Sequence, residues 1–121
     1  MPTILAVDDS ASMRQMVALT LTSAGYAVSS AVDGRDALAQ AKKQSFQLVL
    51  TDLHMPNMNG LELIRELRQH PSYKFTPILM LTTEAAADRK TEGKSAGATG
   101  WIVKPFSPEQ LLATIKRVLP A

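Results

Sequence analysis

Three carboxylates, a hydroxyl and an ammonium stand where short apolar runs of this chain end. Asp8-Asp9 follows Ile4-Leu5-Ala6-Val7, and Asp52 follows Leu48-Val49-Leu50-Thr51. Thr82-Thr83 follows Ile78-Leu79-Met80-Leu81, and Lys104-Pro105 follows Trp101-Ile102-Val103. Carboxylates crowded on one rim repel one another, which raises at least one pKa unless a cation intervenes. A hard divalent ion relieves that repulsion, and Mg²⁺ prefers few carboxylates together with waters and phosphate oxygens. Such an ion also bridges to an incoming phosphoryl group and offsets its charge. A carboxylate can act as the nucleophile and form an aspartyl-phosphate. Lys104 and the Thr82 hydroxyl would then hold two phosphoryl oxygens, one by charge and one by hydrogen bond. The set is complementary to Mg²⁺-assisted phosphoryl transfer, provided the fold brings its members to one place.

The elements between these residues supply that fold. The four runs are continuously apolar, as strands of a parallel sheet covered on both faces are. A fifth run, Tyr26 to Ala31, carries Ser29 and Ser30 and reads as an edge strand. Met13, Met16, Val17, Thr20, Leu21 and Ala24 recur at helical steps, with Gly25 as a stop. Ala37, Leu38 and Ala41 mark a second helix that begins at Asp33 or Gly34, and Leu61, Ile64 and Leu67 a third that closes at His70-Pro71. Leu111, Leu112, Ile115, Val118 and Leu119 form the clearest stripe, opened by a Ser107 cap and Pro108 in the first helical position. Glu84 to Ala96 reads as the least firmly packed helix. It is rich in Ala and charge, has no large apolar residue, and carries Gly93, which costs about 1 kcal/mol relative to Ala. Strand and helix alternate five times, which predicts a doubly wound α/β sheet with right-handed crossovers. A polar second strand favours the flavodoxin-like order 2-1-3-4-5, a (βα)5 sandwich. In such a sheet ligands bind beyond the carboxyl ends of the strands, near the switch point between strands 1 and 3.

At 121 residues the chain predicts one domain over 1–121, with 45% apolar and 20% charged residues typical of a globular protein. It has no cysteine, which excludes disulfides and Cys-based zinc sites. A net charge of +2, with one Trp, two Tyr and three Phe scattered along the chain, argues against a nucleic-acid binder. No apolar run approaches the roughly 20 residues that span a bilayer, and Met1-Pro2-Thr3-Ile4 does not open a signal peptide. A soluble cytoplasmic protein with no membrane partner is expected.

Val7-Asp8-Asp9-Ser10, Thr51-Asp52-Leu53-His54-Met55-Pro56 with Asn59-Gly60, Leu81-Thr82-Thr83-Glu84 and Val103-Lys104-Pro105-Phe106 together resemble the signature of response-regulator receiver domains. The resemblance covers nearly the whole chain, with the motifs in the family's order and spacing. It implies that Asp52 is the phosphoacceptor, that Asp9 and Asp52 ligate Mg²⁺ directly, and that Asp8 acts mainly through a water. It further implies that the His54 backbone carbonyl completes the protein ligands, that Thr82 and Lys104 sense the phosphoryl group, and that the Lys104-Pro105 bond is cis. The implied donor is a histidine kinase or a small acyl phosphate, with a phosphatase as a further partner. The protein would be a signalling switch that catalyses only its own phosphorylation and dephosphorylation. One departure is Trp101, where the family's switch aromatic is usually Tyr or Phe. Glu84 and His54 fall where the family tunes access of the hydrolytic water.

The resemblance is closest to stand-alone chemotaxis regulators of the CheY type. With no output domain after the last stripe, output is expected from a face built of the fourth helix, the fifth strand and the last helix. That face would take a motor-switch or other protein partner, with a monomeric chain. Arg89, Lys90, Lys94, Lys116 and Arg117 would favour an acidic partner peptide there, or they form an ordinary solvated surface. A phosphorelay intermediate or phosphate sink is the alternative within the family. Other readings of single residues also stand. Asp8-Asp9 alone suits a turn or a helix cap, Thr82 alone a common strand-end hydroxyl, His54 a solvated loop residue, Trp101 an edge-strand packing residue, and Met13 and Met16 core filler. A flavodoxin-like FMN protein would need a Ser-, Thr- and Gly-rich loop after strand 1, and a haloacid-dehalogenase-type hydrolase an Asp-x-Asp there. Asp8-Asp9-Ser10 matches neither.

Overall fold

Alternate residues of each strand part onto two faces, and each face has its own core. The computed structural model describes residues 2–53, 55, 57–83 and 97–119. Its strands are β1 (Thr3–Val7), β2 (Ala27–Ala31), β3 (Leu48–Asp52), β4 (Ile78–Thr83) and β5 (Gly100–Lys104). All pair in parallel, in the order β2-β1-β3-β4-β5. On one face Leu5, Val7, Val49, Ile78 and Met80 pack with Leu61, Ile64 and Leu67 of α3 (Gly60–Arg68) and Ala37 and Ala41 of α2 (Gly34–Lys43). On the other, Ile4, Ala6, Leu48, Leu50, Leu79, Leu81 and Ile102 meet Val17 and Leu21 of α1 (Ala11–Ser23) and Leu111 and Ile115 of the C-terminal helix (Pro108–Val118). Central strands buried on both faces explain the continuous apolar runs, each fully buried Leu or Ile contributing about 1.5–3 kcal/mol. β2, with Ser29 and Ser30, lies at one edge, as its polarity predicts.

Expected helix boundaries hold closely. Gly25 takes φ +98° just past α1, the left-handed stop that a residue without Cβ adopts freely. Met13 and Met16 pack against the second core as partly buried filler. Each described helix begins with a side-chain cap: Ser10, Asp33, Asn59 and Ser107 accept from the backbone N–H groups of Met13, Asp36, Glu62 and Gln110. Asn59 and Ser107 form full capping boxes, with Glu62 and Gln110 reaching back to the cap N–H. A short 3₁₀ turn, Pro71–Tyr73, follows α3. The Tyr73 hydroxyl joins the Ala41 and Gln44 carbonyls at 2.8 and 2.7 Å, tying the 3₁₀ turn to the end of α2. Arg68 donates to the carbonyls of Gly97, Tyr73 and Thr76 at 3.0, 2.6 and 2.7 Å, fastening the approaches to β4 and β5. The helix expected over Glu84 to Ala96 lies outside the described residues. Among the described residues no helix is long and apolar enough to cross a membrane.

Candidate functional site

Parallel pairing sends every strand's carboxyl end to the same rim, and the register levels the ends. Val7 lies opposite Thr51, so Asp8 and Asp52 each stand one step further along. Asp52 lies opposite Leu81, and Thr82 and Thr83 lie opposite Val103 and Lys104. The chain leaves β1 for β2 on one side and returns to β3 on the other, which makes β1–β3 the switch point where a ligand crevice opens.

Three sequence-predicted carboxylates meet there. Asp8, Asp9 and Asp52 each offer an oxygen, all within 4.8 Å of one another. Lys104 reaches over from β5, its Nζ 3.0 Å from Asp52 Oδ1 and 3.3 Å from Asp8 Oδ2. Thr82 is 4% exposed at the end of β4. The Lys104-Pro105 peptide bond is cis, as the resemblance implies. His54 and Glu84 lie outside the described residues.

The carboxylates differ in how they are held. Asp8 is almost fully fixed. Its N–H donates to the Ala31 carbonyl at 3.1 Å, its Oδ1 accepts from Ser10 N–H at 2.9 Å, and its own carbonyl accepts from Arg14 Nη1 at 2.7 Å. Asp52 Oδ1 accepts from Leu53 N–H at 2.9 Å as well as from Lys104. Asp9 is exposed. Burial pushes the Asp52 carboxyl above the usual carboxylate range. The Asp8 charge adds to that push, and Lys104 and the Leu53 N–H offset it in part. Burial works downward on Lys104, but its hydrogen bond to Asp52 and the charges of Asp52 and Asp8 outweigh it, and the ammonium is held above its ordinary value.

The donor set suits Mg²⁺. Carboxylate oxygens this close can share one small, hard, oxygen-seeking ion, and their mutual repulsion supplies the reason to bind one. The loop after Asp52 also lies close under the site. A Cβ on Gly60 would run into the Asp52 carbonyl oxygen and lie 3.2 Å from Leu53 Cα, so only glycine lets α3 start there.

Trp101 is half-buried on β5, opposite Met80, and packs against the first core. With Val103, Phe106, Gln110, Thr114 and Arg117 it lines a groove of about 320 Å³ between β5 and the C-terminal helix. Of the basic residues expected on the output face, Lys116 and Arg117 are exposed on that helix, and Arg89, Lys90 and Lys94 lie outside the described residues.

Two features escaped the sequence. Nothing in the α1 pattern marks Arg14 as the donor to the Asp8 carbonyl. The second is Asn57, whose place in the Pro56-Asn57-Met58-Asn59-Gly60 run is a turn signal but does not name its partner. It adopts φ +68° and donates to Asp33 Oδ2 at 2.8 Å.

Comparison with known proteins agrees with this geometry. The chemotaxis protein CheY4 of Vibrio cholerae is 57% identical in sequence, with a TM-score of 0.95 over 98% of this chain and 99% of that one. The receiver domain of a sensor histidine kinase from Pseudomonas aeruginosa, solved with a magnesium ion coordinated in its active-site cleft, is 28% identical. Its TM-score is 0.91 over 99% and 98% of the two chains. The transcriptional regulatory protein ResD of Bacillus subtilis is 37% identical over 116 residues, covering 96% of this chain and 47% of ResD. The chain spans about half the length of the curated relatives it matches. The response regulator receiver domain family itself matches residues 4–116. By that match over most of its length, and by its sheet order, the chain belongs to the response regulator receiver domains of two-component signalling.

Proposed function

We propose that Asp52 is the phosphoacceptor of a Mg²⁺-dependent switch, and that residues 1–121 act as a single receiver unit. The observation that carries this reading is the convergence of Asp8, Asp9, Asp52 and Lys104 on one rim, within ion-pairing and shared-cation distance. Asp9 and Asp52 would hold Mg²⁺ directly, Asp8 through a water, and the His54 carbonyl would complete the protein's share. Bound there, the ion would neutralise the carboxylates and the phosphoryl oxygens together. The Asp52 carboxylate attacks the phosphorus of a phosphohistidine or an acyl phosphate. The bond to the donor's imidazole nitrogen or acyl oxygen breaks, and the electron pair leaves with the donor. Lys104, already 3.0 Å from the Asp52 carboxylate, meets one phosphoryl oxygen, while the Thr82 hydroxyl takes another. The catalysis is confined to the protein's own Asp52, which makes the chain a switch rather than an enzyme acting on other substrates.

The likeness to CheY4 over nearly the full length of both chains supports chemotaxis toward the flagellar motor as the pathway. A histidine kinase is the donor in this reading, a phosphatase the means of reset, and the chain works in the cytoplasm as a monomer without nucleic acid or membrane. The output surface comprises Trp101, the groove beside the C-terminal helix, and the Glu84 to Ala96 segment.

Borohydride trapping tests the acceptor assignment. Reduction of the phosphorylated protein should convert residue 52 to homoserine in the peptide mass spectrum, and conversion of Asp8 or Asp9 instead would refute it. For the pathway, affinity for an acidic motor-switch peptide should rise on phosphorylation. Equal affinity in both states would point to a relay or sink.

A further inference from the structure

The loop that carries the chain from Asp52 to α3 is tied to the start of α2. Asn57 sits in the middle of that loop at φ +68°, a conformation few residues other than Gly adopt and one that Asn tolerates. Its Nδ2 donates to Asp33 Oδ2 at 2.8 Å. The other oxygen of the same carboxylate, Oδ1, caps α2 by accepting from Asp36 N–H at 2.8 Å. One residue further on, the Met58 carbonyl accepts from Gly34 N–H at 3.2 Å. Gly34 makes that approach possible, because a Cβ there would stand 2.6 Å from the Met58 oxygen and 2.7 Å from Met58 Cβ. Gly60 N–H closes the loop on the Leu53 carbonyl at 2.9 Å. The span between Asp52 and α3 is thus pinned at its centre to α2 and at its two ends to itself.

Asp33 is not among the carboxylates that converge with Asp52, so its effect on the site passes through the backbone rather than through its charge. We infer that Asp33 and Asn57 are positioning residues for the cation site: their bond fixes the loop that leaves Asp52, and with it the backbone on which the Asp52 carboxylate is carried. The inference rests on the proposed Mg²⁺-dependent role of Asp52. The bond joins residues 24 apart in sequence, so it contributes to neither partner's local turn and its value lies in where it holds the loop.

The test is calorimetric titration of the full chain with MgCl2, alongside thermal unfolding of each variant. Asn57→Gly removes the donor and keeps a residue at ease with positive φ, so the variant should fold. Asp33→Ser keeps a helix cap and is too short to hold both bonds. Each should weaken Mg²⁺ binding on the order of tenfold, at the lower end of what removing an outer-shell partner costs. The double variant should be no weaker than either single one, because both changes break the same bond. The exchange of Asp33→Asn with Asn57→Asp reverses donor and acceptor, preserves the cap and the net charge, and should restore affinity. Variants that lose thermal stability but bind Mg²⁺ within twofold of wild type would overturn the inference and leave Asp33 a helix cap. Wild-type protein that binds no Mg²⁺ would instead overturn the cation reading on which the inference depends.

Discussion

Lys104 Nζ stands 3.0 Å from one oxygen of Asp52 and 3.3 Å from one oxygen of Asp8, and it serves as the counter-ion of both. A lysine so placed does in the metal-free protein part of what a divalent ion would do. Lys104→Met should therefore destabilise the metal-free protein by about 1–2 kcal/mol, below the figure for a fully buried pair because the lysine side chain is 20% exposed. The same variant should gain more from MgCl2 than wild type, since a cation then relieves carboxylates left without a partner. For a site at a hundred times its dissociation constant the ligand contributes about 2.7 kcal/mol. Thermal unfolding with and without MgCl2 measures both effects, and an equal gain in the two proteins would refute the counter-ion role.

The raised Asp52 pKa gives stability a defined slope with pH. The folded state binds the Asp52 proton more readily than the unfolded chain, where the ordinary value is 3.8. Stability is therefore lost as pH rises from 3.8 through the higher folded value, and the cost persists at neutral pH. Metal-free Asp52→Asn should melt higher than wild type at pH 7, with the gap narrowing on acidification toward 3.8. Lys104 behaves oppositely in charge but keeps the rule. Its folded value lies above 10.5, so its contribution is present below 10.5 and fades as pH climbs through the folded value. Melting curves from about pH 3 to about pH 12 check both limbs, bracketing the ordinary values of 3.8 and 10.5.

Gly60 lies where a methyl group would meet the Asp52 carbonyl. Gly60→Ala must shift either the start of α3 or the end of β3, and an overpacked contact of this kind costs about 1–3 kcal/mol. Denaturant unfolding should show that loss. Phosphorylation by acetyl phosphate should slow in the same variant, because the backbone that shifts carries Asp52. A stable variant with unchanged labelling would show that the contact relaxes without moving the site.

Trp101 is the single tryptophan, so its fluorescence reports on β5 without interference. Half-buried between the first core and the groove beside the C-terminal helix, it has room on one side. If it is the switch aromatic, acrylamide quenching should fall when Asp52 is phosphorylated, as the indole turns inward. Unchanged quenching would make Trp101 an edge-strand packing residue only.

The sheet order and the rim were readable because burial on both faces writes itself into the sequence as apolar runs. Ile4-Leu5-Ala6-Val7 and Leu48-Val49-Leu50 could be little else, and the polar residue after each run then had to lie at a carboxyl end. Helix starts were readable where a cap is followed by a stripe, as at Ser107-Pro108. The supporting bonds were not readable. Asn57 to Asp33, Arg14 to the Asp8 carbonyl, and Tyr73 to Ala41 and Gln44 each use a common polar side chain whose partner is a distant residue or a backbone carbonyl. No periodicity records such a pairing, and only the packed elements bring the partners together.

Intact mass after incubation with acetyl phosphate, with and without Mg²⁺ and beside an Asp52→Asn variant, tests the central claim most directly. One added phosphoryl group that requires both Mg²⁺ and Asp52 is the expected result. Equal labelling of the Asn variant, or labelling indifferent to Mg²⁺, would contradict it.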